Sequence, residues 1–356
     1  MDSSPSFPRS RVVIFSLLPV VVFLLLGEIG LRVYDWSREA SSHARAYWYW
    51  GYAQDKYLGY RGRPNTDIVL AGGNHLDTNS AGFRDAALPL SVPGRRLIIC
   101  MGESSTFGTG AKNRLTTYPH QLQAILQQHD PRFVVYNAGI PGANTVDNAQ
   151  RLSLALLKYK PEAVIYMGFI ADVNVYLTRL ENNLDLNLYP RYLALLPTTF
   201  WNSFWLRSSL LAAIASRISG KVPLDRQSDL PIPAATGGPT PRGGEVFRDR
   251  IATMKFLCDR HNVQLMWVDQ VVDYSRRNDV DAVKKSRAML HDELAKDGIP
   301  LLQAAEIYNF RQYPLLDDVH FDDKGNRYLA SLLAPQILAQ LDRAGSSHAA
   351  SSSTLK

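Results

Sequence analysis

Arg96-Leu97-Ile98-Ile99-Cys100-Met101-Gly102-Glu103-Ser104-Ser105-Thr106-Phe107-Gly108 decides the reading of this chain. An apolar run of strand length enters a turn bounded by glycines and then helix-compatible sequence. A serine at the carboxyl end of a parallel strand, in a turn that opens a helix, stands where an α/β enzyme places a nucleophile. Glycine lets the backbone turn sharply, and the first amides of the helix have no intrahelical acceptor, so they can face a developing oxyanion. The stretch fits equally an ordinary strand-to-helix turn with a serine or threonine N-cap.

Working outward, apolar runs at Leu97 to Met101, Phe133 to Asn137, Ala163 to Met167, Gln264 to Val268 and Pro300 to Gln303 read as strands. Amphipathic segments at Pro119 to Gln128, Thr145 to Tyr159, Val246 to His261, Asp281 to Lys296 and Asn326 to Leu341 read as the helices that accompany them. Short strands alternating with helices predict an α/β fold, a three-layer α/β/α domain around a parallel sheet. The right-handed crossover rule, together with the family resemblance described next, suggests a flavodoxin-like strand order. Strand carboxyl ends then share one edge, and Ser104 converges there with the loop Leu316-Asp317-Asp318-Val319-His320. A carboxylate three residues before a histidine can hold its ring through Nδ1–H and leave Nε2 for a serine proton. Asp318 is the rival for that role; turn chemistry accounts for such residues just as well when they stand alone.

These pieces together resemble the SGNH (GDSL-type) hydrolase family. Its first block is matched by Gly102-Glu103-Ser104 and Gly108, with Glu103 in place of Asp, and its last by Asp317 and His320. Its second block is matched by Asn137-Ala138-Gly139-Ile140-Pro141-Gly142, with Gly139 in the oxyanion position. The third block, Gly-x-Asn-Asp, is matched at Gly168 and Asp172, but Ala171 (or Ile170) stands where the asparagine belongs. Asn79-Ser80-Ala81-Gly82-Phe83-Arg84-Asp85 is similar to a lead-in found in membrane-anchored members. The resemblance implies a catalytic Ser104, His320 and Asp317, with an oxyanion held by the backbone amides of Ser104 and Gly139. The missing asparagine removes one donor; Asn174 is a possible substitute, as are Asn144 or water, whereas Asn137 is more naturally a turn cap.

Val12 to about Val33 is mostly apolar and roughly long enough to cross a bilayer. A cleaved signal peptide is the competing reading, but no small-x-small site directly follows Gly27. Arg9 and Arg11 favour a cytoplasmic N-terminus, although Arg32 and Arg38 follow the run. Tyr47-Trp48-Tyr49-Trp50 suits either the headgroup layer or packing on the domain. The expected order is a cytoplasmic stretch 1–11, a transmembrane anchor 12–33, a juxtamembrane segment 34–90, a catalytic domain 91–343 with an insertion at 174–244, and a disordered tail 344–356. Turns are expected at Gly59 to Pro64 and Ala71 to Asn74. The apolar part of the insertion reads as a packed helical pair, or as a lid or membrane-facing surface near the site.

A net charge of +6 over 356 residues, without a dense basic run, argues against nucleic-acid binding. The 2 cysteines lack metal spacing and the 8 histidines are scattered, so no metal or other cofactor is expected. The resulting expectation is a membrane-anchored serine esterase, outside the cytoplasm, removing acyl groups, such as acetyl, from an envelope or exported glycan. An O-acyltransferase with the same triad and a catalytically weakened binding module are the alternatives.

Overall fold

The computed structural model describes residues 9–38, 52–69, 74–87, 93–178 and 237–353. Most of the insertion, the Tyr47 to Trp50 aromatic run and the Ala71 to Gly73 turn lie outside these. The chain divides into two units, Met1–Tyr49 with Ala194–Ile232, and Trp50–Leu193 with Pro233–Lys356.

In the first unit the described element is α1, Arg9–Arg38, with Pro19 inside it. Between residues 16 and 30 its apolar side chains are exposed, Phe23 most of all. Among the described residues, no helix is long and apolar enough to cross a membrane.

The second unit begins with two antiparallel hairpins, β1 (Tyr52–Asp55) with β2 (Gly59–Gly62), and β3 (Asp67–Val69) with β4 (His75–Asp77). Of the turn expected at Gly59 to Pro64, Gly59 to Gly62 is strand, and a turn lies at its end, at Pro64–Asn65, with Asn65 at φ +52°. The reversal between β1 and β2 lies at 56–58, where Asp55 Oδ1 accepts the amides of Tyr57 and Leu58 at 2.9 and 3.0 Å. Gly59 to Gly62 is strand because the backbones of Gly62 and Gly82 cross in contact; a Cβ on either would strike the other's carbonyl oxygen. Gly82 also sits at φ +83°, where a side chain is strained.

The remaining elements are β5 (Arg96–Gly102), α2 (Ser104–Phe107), α3 (Tyr118–Leu126), β6 (Phe133–Gly139), α4 (Thr145–Arg151), β7 (Ala163–Met167), α5 (Ile170–Asp172), α6 (Pro241–Arg260), β8 (Gln264–Val268), α7 (Val280–Lys296), β9 (Leu301–Leu302) and α8 (Asp323–Ser353). The five strands β5 to β9 form one parallel sheet in the order β6-β5-β7-β8-β9, the flavodoxin-like arrangement. Period-two alternation sorts the strands between two cores. Leu97, Ile99, Met101, Tyr166 and Trp267 join one core with residues of α4, α6 and α7, and Ile98, Cys100, Ile165 and Met266 join the other with α3 and α8. Cys100 and Cys258 are free and buried.

Three helix boundaries differ from expectation. The segment after α4 loosens into a π-turn at Leu152–Leu156 and a 3₁₀ turn at Leu157–Tyr159, ending at Lys160 with φ +51°. α6 starts five residues early because Thr240 Oγ1 caps the amide of Gly243 and Pro241 takes the first helical position. α8 runs to Ser353, past the end expected at Leu341.

Candidate active site

Strand register sets the level of the site. Gly102 pairs with Gly139 on one side and Met167 on the other, and Met167, Val268 and Leu302 continue the same carboxyl edge. Gly102 turns the chain out of the sheet at φ +153°, against the carbonyl of Met167. Ser104, half-buried, is the first residue of α2, and Gly108 closes that helix in the left-handed region at φ +82°.

The loop before α8 brings the other two groups. Asp317 Oδ1 accepts the amides of Val319 and His320 at 3.0 and 2.8 Å. Its Oδ2 lies 2.6 Å from His320 Nδ1, and His320 Nε2 lies 2.7 Å from Ser104 Oγ. Burial alone would raise the Asp317 carboxyl, but the His320 hydrogen bond and charge, with the two amides, outweigh it and hold the group down at about 2. Asp318 does not reach His320: its Oδ2 is 2.5 Å from Arg277 Nη1.

The expected oxyanion positions fare unevenly. The amide of Ser104 opens α2 and has no acceptor in that helix. The amide of Gly139 donates to Asn137 Oδ1 at 3.0 Å, so Asn137 caps the turn and occupies that donor. Ala171 is buried and its amide donates to Glu103 Oε2 at 2.9 Å. Asn174 is exposed, and its Oδ1 accepts from Arg277 Nη2 at 3.0 Å. Asn144 caps α4, accepting the amides of Val146 and Asp147. None of these three side-chain positions hydrogen-bonds Ser104.

Residues without a proposed chemical role brace the site. Arg84 is fully buried and donates to the carbonyls of Gly108, Ala111 and His75, the last two at 3.1 and 2.8 Å. Its guanidinium lies 5.2 Å from the centre of the Phe107 ring, so it braces the far end of α2. Asp85 Oδ2 accepts the amide of Asn137 at 2.8 Å. The lead-in segment is thus a structural brace for the serine turn. Gln270, just past β8, accepts the amides of Phe169 and Ile170 at 3.1 and 3.3 Å and donates to Ser105 Oγ at 3.3 Å. Ser105 Oγ in turn donates to Val319 O at 3.0 Å, which ties α2 to the histidine loop.

Beneath the site lie buried carboxyls. Burial, then the charge of Asp172, pushes Glu103 up to about 7. Burial likewise raises Asp172 to about 6 and Asp147 to about 7, against their hydrogen bonds to Thr145 and to the amide of Asn144 respectively. A raised acid keeps its proton in the native state after the unfolded chain has lost it, so stability falls as pH rises between the two values. From a reference of 4.5 to about 7, Glu103 should weaken the fold by about 3 kcal/mol, at roughly 1.4 kcal/mol per unit. Urea unfolding from pH 4.5 to 7.5 should therefore show a flatter pH slope for Glu103→Gln than for the parent chain; equal slopes would mean that Glu103 is already ionised in the fold. Among the described residues, no three His, Cys, Asp or Glu side chains gather as a metal ion requires.

Comparison with known proteins gives a family match and several similar solved structures. The model of the GDSL-like Lipase/Acylhydrolase family matches residues 100–328. Among solved structures, the chain is similar to a putative lipolytic protein of the G-D-S-L family from Desulfitobacterium hafniense DCB-2 (13% identity, 68% of this chain and 99% of that one, TM-score 0.41). It is also similar to the acetyl xylan esterase AlAXEase (16% identity, 68% and 99%, TM-score 0.43). A third is the lipase/acylhydrolase from Enterococcus faecalis (17% identity, 69% and 96%, TM-score 0.44). No curated protein sequence matches. With well over half of its residues matched by the family model, the chain belongs to the GDSL-like lipase/acylhydrolase family, whose members are ester hydrolases.

Proposed function

We propose that the protein is a serine esterase in which Ser104 is the nucleophile, His320 the general base and Asp317 the group that orients the imidazole. The observation that carries this reading is the continuous chain from Ser104 Oγ to His320 Nε2, and from His320 Nδ1 to Asp317 Oδ2, at 2.7 and 2.6 Å. In the acylation step His320 Nε2 takes the hydroxyl proton as Ser104 Oγ bonds to the ester carbonyl carbon. Collapse of the tetrahedral intermediate breaks the bond to the alkoxy oxygen, which receives that proton. Water, deprotonated by the same nitrogen, then releases the acid and restores Ser104.

The oxyanion is assigned to the amide of Ser104 and to an amide of the loop after β6. Gly139 serves only if Asn137 releases it. Gly142, at φ +74° three residues on, shapes that loop. No amide side chain supports the oxyanion at Ala171. Loss of such a donor costs about 10²–10³ in rate in other enzymes, which favours slow turnover and keeps the weakened binding module as the second reading. Fluorophosphonate labelling of the purified full chain separates the two: the esterase reading requires covalent modification of Ser104, and an unlabelled chain would overturn it.

The substrate class we propose is an ester-linked acyl group, such as acetyl, on an envelope or exported glycan, with the chain held at a membrane through residues 12–33. The apolar run in that segment and the lead-in at Asn79 to Asp85 support this reading. The expected result is full-length protein in the membrane fraction, with a reporter fused after Lys356 active on the extracytoplasmic side. A soluble full-length chain, or a reporter active only in the cytoplasm, would remove the anchor. Release of acetate to water, rather than its transfer to a sugar hydroxyl, in a panel of acylated sugars separates hydrolysis from transfer.

A further inference from the structure

Asp317, which orients His320, is half-exposed on its side chain, and the hydrogen bonds to its carboxylate come from its own loop, from Val319 and His320. Its position therefore depends on what holds the loop backbone. On one side the loop is tied by Ser105 through Val319 O. On the other it is gripped by the segment between β8 and α7. There Asp273 N donates to Asp318 O at 2.8 Å, Arg276 Nη1 to Leu316 O at 2.7 Å, and Arg277 Nη1 to Asp318 Oδ2 at 2.5 Å.

Arg277 is the unusual member of this grip. Its side chain is only 7% exposed, which a cation tolerates only when paired. Its Nε and Nη2 meet the two carboxylate oxygens of Asp279 at 2.8 Å each, Nη2 also meets Asn174 Oδ1 at 3.0 Å, and Nη1 is left for Asp318. Burial would lower its pKa, but Asp279 and Asp318 outweigh burial and raise it. One guanidinium thus neutralises two carboxylates and joins Asp318, next to the orienting aspartate, to Asn174, two residues past α5. Without the cation, Asp318 and Asp279 become neighbouring like charges, and Asp318 gains by swinging out to solvent. Asp317 would move with it.

We propose that Arg277 is a positioning residue for the esterase reaction: by clamping Asp318 it fixes the loop that carries Asp317 and His320 against Ser104. The inference rests on the esterase reading given above. A displacement of about 1 Å at a reacting group can cost around 100-fold in rate, so the expected penalty is kinetic. Lysine cannot supply the same fork of donors, so Arg277→Lys restores the effect only in part.

The test is the second-order rate of fluorophosphonate labelling at Ser104 in the full chain, with kcat and KM on p-nitrophenyl acetate. Arg277→Met is expected to lower the labelling rate and kcat by about 10–100-fold with KM within about twofold. Asp318→Asn is expected to give a similar loss, because it removes the other half of the clamp. The double variant should be no worse than the poorer single one. Should Arg277→Met fail to fold, Asp318→Asn, on a more exposed side chain, decides the matter alone. Unchanged labelling in either folded single variant, or losses that multiply in the double variant, overturns the proposal. An unlabelled parent chain overturns the esterase reading instead, so the two failures are distinct.

Discussion

Ser104→Ala should abolish fluorophosphonate labelling and reduce ester hydrolysis by about 10⁴-fold or more, while leaving the fold intact. Ser104 is half-buried at the start of a short helix, and its hydroxyl faces His320, so the fold loses one hydrogen bond, about 1 kcal/mol. His320→Ala should be at least as damaging as Asp317→Asn, because the first removes the base and the second only misorients it. These residues act as a unit, so combining the three changes should add little to the worst of them. Labelling that survives Ser104→Ala would assign the nucleophile elsewhere. Ser105 is a poor substitute, since its hydroxyl already donates to Val319 O and accepts from Gln270. Thermal unfolding separates loss of chemistry from loss of structure: a large fall in the melting temperature of Ser104→Ala would show a structural role that this geometry does not suggest.

Arg84→Met should have the largest effect on stability, about 3–5 kcal/mol by urea unfolding, because removing one partner of a buried polar network leaves the rest unsatisfied. The carbonyls of Gly108, Ala111 and His75 all turn toward this side chain, and it is fully buried. The methionine matches much of the volume, so the cost would come from the lost donors rather than from a cavity. Arg84→Lys should recover little, since one ammonium cannot reach three carbonyls arranged around a planar fork. A change below about 1 kcal/mol would mean that water replaces the guanidinium, and that the serine turn stands without this brace.

Comparison of the residues read from sequence with those that build the site shows what a linear pattern carries. The strands were legible because each buried run is bounded and alternates between two cores, as Leu97, Ile99 and Met101 against Ile98 and Cys100 do. Ser104, Asp317 and His320, the triad proposed above, could be picked out because block spacing couples a residue type to a strand end or to the start of the final helix, and the structure brings the three within hydrogen-bonding distance. The choice between Asp317 and Asp318 needed the three-dimensional turn, in which two amides lock one carboxylate beneath the imidazole. The occupied amide of Gly139 was hidden because its acceptor is a side chain two residues earlier, within the same strand. Gln270 gave no signal: it is one polar residue in an ordinary context, and Ser105 lies 165 positions away, whereas Arg84 was legible only as part of the lead-in, with no role attached. The loosening after α4 was equally hidden, since its sequence keeps a helical apolar period through Leu152, Leu156 and Tyr159.

Ser104 and His320 are 216 positions apart in the chain. Ribosomal synthesis proceeds at about 5–20 residues per second, so the base leaves the ribosome roughly 10–40 s after the nucleophile. During that interval the serine turn can form, but it has no proton acceptor. Docking of the last helix also waits for the chain end. If Ser104 and His320 act as proposed, the serine stays unreactive on the nascent chain until the histidine loop has been made. On that reading hydrolytic competence arrives only once the C-terminal third, with His320 and α8, has folded against α2.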